Sequence, residues 1–155
     1  MNAAIAVRRG ERADRDFVRD LGRRTATSSV SAVRKARYDD VLEAFERLAD
    51  FVYGRRHELL IAEQDGERAG FLLLLYDIPD EVTMAPQAFI AYMAVEPRAG
   101  GRGVGRALLE TAEAHARASG LPHVSLMVTA ENARARALYE GSGYAAERLL
   151  LSKPL

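Results

Sequence analysis

At 155 residues, 48% of them apolar, the chain is long enough for one domain, expected over 1–155, whose core needs no covalent or metal staple. Its 22 basic and 22 acidic side chains cancel, which excludes the cation surplus that a nucleic-acid partner demands. The absence of cysteine removes disulfides, thiolate metal sites and a thiol nucleophile, and three scattered histidines (His57, His115, His123) offer no metal-ligand spacing, so no metal is expected.

Met1 to Arg24 carries acids throughout and has no apolar signal core, and no apolar run approaches the ~20 residues of a membrane span. A cytoplasmic protein without a membrane partner is expected. Ile5 to Arg8 reads as a first strand, and Asp14 as the cap of a helix with Phe17, Val18 and Leu21 on one face. Thr25 to Ala32 is rich in serine and threonine and reads as a loop, followed by Arg34, Lys35 and Arg37. Asp39 or Asp40 then opens a second helix with the stripe Val41, Ala44, Phe45, Leu48, Ala49 and Val52.

A hairpin follows: Glu58 to Glu63, the turn Asp65-Gly66, then Ala69 to Tyr76. The unbroken apolar run Phe71 to Leu75 predicts a strand covered on both faces. Asp77 to Gln87 reads as a loop and Phe89 to Val95 as a strand. Val104 to Ser119 is a helix with Val104, Ala107, Leu108, Thr111, Ala112 and His115 on one face, stopped by Gly120 and Pro122. His123 to Thr129 is a further strand, Asn132 to Glu140 a short helix, and a last strand is expected between Tyr144 and Pro154. Alternating helices and strands of this kind build a three-layer α/β/α domain.

The strongest local signal is Arg98-Ala99-Gly100-Gly101-Arg102-Gly103-Val104-Gly105-Arg106, lying between a strand and a helix. Glycines let a backbone approach a ligand closely, and a helix start offers unpaired N–H groups and a positive dipole end, so the segment suits a pyrophosphate. Taken alone it also suits a tight turn that binds nothing. Nucleotide motifs do not fit: Gly105-Arg106-Ala107 replaces the Gly-Lys-Ser/Thr of a P-loop, and the dinucleotide spacing fails from either Gly100 or Gly101.

Three features in order carry a resemblance. Tyr92-Met93-Ala94-Val95-Glu96-Pro97 runs into the glycine segment and then Ala107-Leu108-Leu109. A second strand, Val124 to Val128, runs into Glu131-Asn132. Finally, Ala137-Leu138-Tyr139-Glu140 leads to Gly143-Tyr144. The set resembles the GNAT superfamily of N-acetyltransferases over Phe89 to Tyr144, over a third of the chain. The resemblance implies a mixed, mostly antiparallel sheet whose central strands splay, with acetyl-CoA as acyl donor between them. Backbone groups of Met93, Ala94 and Val95 would pair with the pantetheine arm, and Gly101, Arg102, Gly103, Val104, Gly105 and Arg106 would hold the pyrophosphate. Asn132 matches a cofactor-contacting position, and Tyr139 the tyrosine that protonates the departing thiolate.

Two departures from the family pattern stand out. Gly100 replaces the usual Arg or Gln, leaving Arg98, Arg102 or backbone amides to meet the phosphates. Only 12 residues follow Gly143, so the acceptor side is expected to be open or completed by a second subunit in a homodimer. The glutamate base of the histone-acetylating branch falls at Phe89. Tyr92, Glu96, His57 and water are the candidates for the amine proton, and a backbone N–H near Ala94 or Val95 for the oxyanion. His115 reads as a core residue. The arginines Arg23, Arg24, Arg34 and Arg37 with Lys35 read as a solvated surface ahead of an acceptor-anion site.

The resemblance thus implies direct acetyl transfer in a ternary complex, with a small-molecule amine as the favoured acceptor. A protein N-terminus or lysine is the alternative acceptor. A non-catalytic acyl-CoA sensor is the rival of another class, and a nucleotide-binding domain a third reading.

Overall fold

The structure, a computed structural model, describes residues 4–155; the first three positions of the expected 1–155 domain, and of the acid-bearing start Met1 to Arg24, lie outside it. The elements are β1 (Ile5–Arg9), α1 (Arg15–Thr25), α2 (Tyr38–Tyr53), β2 (His57–Gln64), β3 (Glu67–Leu75), β4 (Ala88–Val95), α3 (Val104–Ala118), β5 (Val124–Leu126) and α4 (Ala133–Gly141). The strands form one sheet in the order β1-β2-β3-β4-β5; the first three pairings are antiparallel and the last is parallel. This is the expected mixed, mostly antiparallel α/β sheet.

The run Phe71 to Leu75 explains the layering. Leu72 and Leu74 point to the side covered by α3, with Leu60, Leu108 and Leu109. Phe71, Leu73 and Leu75 point to the side covered by α1 and α2, with Val18, Phe45 and Val52. All five are at most 2% exposed, as a strand sandwiched between helices must be. The β2–β3 hairpin turns through Asp65 and Gly66, both left-handed, at φ 53° and 81°.

Several boundaries differ from expectation. Asp14 stands before α1, but its buried carboxylate does not bond the helix. It accepts from Arg8 Nη1 and Nη2 at 2.8 and 3.0 Å and from the Glu11 N–H at 2.8 Å, and Arg8 holds its carboxyl below the usual carboxylate range. In α2, Leu42 is buried and Ala44 is exposed, so the apolar stripe is turned toward Leu42 relative to the expected one. In α3, Leu109 and Ala116 are buried, whereas Ala107, Thr111 and His115 only border the core.

The largest corrections lie at the end of the chain. The strand expected over His123 to Thr129 shrinks to Val124–Leu126, and the strand expected between Tyr144 and Pro154 does not form. A strand needs a ladder, and β5 pairs only with β4, over three residues. The final segment is held by side chains instead: Arg148 pairs with Asp80, and Arg34 Nη2 donates to Ser152 Oγ at 3.1 Å. Leu149, Leu150 and Leu151 are left about 85% exposed. Among the described residues, no helix is long and apolar enough to cross a membrane.

Candidate active site

The site is built around a strand that loses its neighbour. β4 pairs with β5 only over Ala88 to Ile90, so its edge from Ala91 to Val95 is open on that side. On its other side Ile90 faces Leu74 and Tyr92 faces Leu73, which leaves Ala91 as an extra residue. Such a bulge bends and twists a strand. It also turns Ala91 and Tyr92 to the same face, toward α1 and α2, while Met93 and Val95 pack toward α3. The three residues expected to pair with a pantetheine arm, Met93, Ala94 and Val95, therefore lie on the open stretch.

From Val95 the chain passes through a short turn, Pro97–Ala99, into the glycine segment. Gly101 and Gly103 are left-handed, at φ 73° and 92°, where a side chain is strained. Gly103 is the N-cap of α3; it carries no side-chain acceptor, and the first helical turn has no acidic residue. The first N–H groups of α3 and the dipole's positive end are left for an anion. A Cβ on Gly105 would stand 2.8 Å from Leu138 and 3.8–3.9 Å from Val95 and Met93. This glycine brings the end of β4, the start of α3 and α4 into one place.

Asn132 caps α4, its Oδ1 accepting the Ala135 N–H at 3.2 Å, so its amide NH2 is what it can present to a ligand. Tyr139, half-buried on α4, packs edge-on to Tyr144 at 6.0 Å between centroids. Burial raises its hydroxyl above the usual tyrosine value, and the Tyr92 hydroxyl is near enough to push in the same direction. Both effects favour the neutral phenol over the phenolate.

The remaining candidates separate. Tyr92 stacks on Phe71 (5.9 Å) and meets Phe45 edge-on (4.9 Å), and its hydroxyl lies 3.1 Å from Thr25 Oγ1. Burial raises its hydroxyl as well. Glu96 accepts two bonds from Arg24, at 2.8 and 3.1 Å, and Arg24 also holds Asp20. His57 pairs across the sheet with Leu75, which faces Phe89, at the opposite end of β4 from Val95. His115 lies 3.7 Å from Glu58 at the margin of the core.

Contacts that the sequence did not reveal tie two loops together. Thr129 Oγ1 donates to the Ser29 carbonyl at 2.6 Å, and Glu131 accepts the Ala32 N–H at 3.0 Å. They latch the α1–α2 loop to the β5–α4 loop across the splay. Arg23 bonds Glu46, and Arg24 bonds Glu96, so these two arginines are structural ties. A further side chain, Arg134, lies against the glycine segment, where a Cβ on Gly100 would collide with its guanidinium. No periodicity or short motif marks a contact between residues that far apart in the chain.

The Acetyltransferase (GNAT) family model matches residues 23–144, and the chain belongs to this family. It is similar to a mycothiol acetyltransferase of Beutenbergia cavernae, 43% identical over 86 residues that make up 56% of this chain and 28% of that protein. A Pyrococcus furiosus protein provisionally assigned as an acetyl transferase shares its structure with TM-score 0.82 and 27% identity, over 98% of this chain and 100% of that one. An aminoglycoside N-acetyltransferase in complex with CoA shares the fold, with TM-score 0.71 and 18% identity over 99% of this chain and 97% of that one. The chain spans 28% and 57% of the length of two curated relatives that it matches.

Proposed function

We propose that this chain, acting as one domain in the cytoplasm, moves the acetyl group of acetyl-CoA to the primary amine of a small molecule by direct attack in a ternary complex. The observation that carries this reading is the meeting at Gly105 of the open β4 edge (Met93 and Val95), the uncapped start of α3 and Leu138 of α4, the residue next to Tyr139. Met93, Ala94 and Val95 hold the pantetheine arm as a strand holds its neighbour. Gly101, Arg102, Gly103, Val104, Gly105 and Arg106 face the pyrophosphate, and the Asn132 amide donates to the cofactor.

The amine attacks the thioester carbonyl as a free base, forming the C–N bond. A backbone N–H at Ala94 or Val95 carries the oxyanion. The tetrahedral centre collapses with cleavage of the C–S bond, and Tyr139 protonates the departing thiolate. The proton from the amine nitrogen leaves through water to Glu96, while Tyr92 shapes the acceptor side from its place against Phe45 and Phe71. The named activities of the mycothiol and aminoglycoside enzymes support a small acceptor. The latch between the α1–α2 and β5–α4 loops also favours a compact molecule over a peptide laid across the splay. A homodimer would cover the exposed Leu149 to Leu151.

One observation favours a second reading, a non-catalytic acyl-CoA sensor: Glu96 is already held by Arg24. Both readings share the donor, which a thermal-unfolding series tests. Acetyl-CoA at ~100 times its dissociation constant stabilises by about 2.7 kcal/mol, roughly 5–11 °C for a domain of this size. NADH and ATP at equal concentration are expected to give no such shift. A shift with NADH or ATP and none with acetyl-CoA would reject the donor.

A further inference from the structure

The glycine at position 100 sits where the backbone does not require one. Its φ and ψ are −63° and 143°, extended values that any residue adopts. The space a Cβ would take there is filled by the far end of the flexible Arg134 side chain, its guanidinium, with the Pro97 carbonyl 3.3 Å away on another side. Gly100 makes room for an arginine that arrives from α4.

Arg134 has no acidic partner among the described residues, whereas the charged residues on either side of it, Glu131 before the helix and Arg136 on it, are engaged. Arg136 pairs with Glu140 at 3.5 Å, and Glu131 is taken by the Ala32 N–H. Arg98 is turned away from the glycine segment, bonding the Arg68 carbonyl at 3.1 Å and lying 3.3 Å from Glu67. That leaves Arg134 lying on the segment, Arg102 within it and Arg106 in the first turn of α3, all exposed and with no ion pair among the described residues. On a chain of zero net charge this is a local cation surplus. It faces a helix start that already favours anions, and the guanidiniums repel one another until a polyanion bridges them.

We infer that Arg134 binds the phosphates of the acyl donor, supplying from α4 the charge that a long side chain at position 100 would otherwise supply. The inference rests on the acetyl-CoA reading above and adds the residue that makes the phosphate site work despite Gly100. Its chemistry is a charge-assisted, fork-shaped contact to phosphate oxygens, which a lysine or glutamine at 134 reproduces only in part.

The test compares wild type, Arg134→Ala and the double variant Arg134→Ala with Gly100→Arg. Each is titrated calorimetrically with acetyl-CoA and with S-acetyl-pantetheine, which carries the same thioester and no phosphate. Arg134→Ala is expected to weaken acetyl-CoA by about 10- to 100-fold and to leave S-acetyl-pantetheine and the unfolding midpoint unchanged. Gly100→Arg in that background has the vacated space to occupy and is expected to recover most of the loss. Unchanged acetyl-CoA affinity in Arg134→Ala would overturn the inference. So would an equal loss with both ligands, which marks a structural effect. Failure of wild type itself to bind acetyl-CoA would remove the donor reading and this inference with it.

Discussion

Tyr139→Phe is expected to lower kcat by about 10²–10⁴-fold while acetyl-CoA binds as it does to wild type. The expectation comes from what the thiolate needs as it leaves. A proton must reach sulfur, and the Tyr139 phenol keeps its proton because burial penalises the phenolate and the Tyr92 hydroxyl lies near. Phenylalanine preserves the ring against Tyr144 and leaves the Leu138 contact at Gly105 untouched, so α4 stays in place. Only the O–H is removed. The pH profile separates this role from simple packing. An acid with a raised pKa donates until the pH passes its folded value, so the alkaline fall of kcat in wild type lies above the ordinary tyrosine value of about 10. Tyr139→Phe is expected to lose that limb. A variant with wild-type kcat at pH 7 to 8 would remove Tyr139 from the chemistry.

Phe71→Ala is the substitution expected to cost the fold most. Phe71 is fully buried in β3, between the ring of Phe45 at 6.3 Å and that of Tyr92 at 5.9 Å. Removing a buried phenylalanine side chain costs about 3–5 kcal/mol, because the lost transfer energy adds to an unfilled cavity. For a domain of this size that lowers the unfolding midpoint by roughly 6–20 °C. Tyr92 loses its stacking partner in the same variant, so acceptor KM is expected to rise in preparations that remain folded. A midpoint within about 2 °C of wild type would mean that the α1–α2 face is far looser than these ring contacts imply.

Much of this architecture is readable from local pattern. The five apolar residues Phe71 to Leu75 announce a strand buried on both sides, Asp65-Gly66 announces its hairpin, and the glycine segment announces the turn into α3. Each depends on neighbours in sequence. What the sequence hides depends on partners far along the chain. The segment after Tyr144 has strand-like composition, yet β5 ends at Leu126 and offers it no ladder, so composition alone misleads. The bulge at Ala91 is a mismatch of register between β3 and β4 that neither strand shows by itself. Asp14 has the residue type of a helix cap but takes the Arg8 guanidinium instead. At the candidate site the same division holds. Asn132 and Tyr139 are legible only through the family resemblance that their motif carries, and the glycines through their clustering, whereas Arg24 on Glu96 and Arg134 on Gly100 are contacts between distant segments.

Acetyl transfer itself is tested most directly by the release of CoA. The chain contains no cysteine, so a thiol reagent present during turnover reads CoA alone. Purified protein is incubated with acetyl-CoA and a panel of small primary amines, with peptides bearing a free N-terminus or lysine alongside. Thiol release that requires both the protein and a small amine, with the acetylated amine recovered in equal amount, is the predicted result. Acetyl-CoA bound tightly with no thiol released across the whole panel would contradict the account and identify the chain as an acyl-CoA sensor.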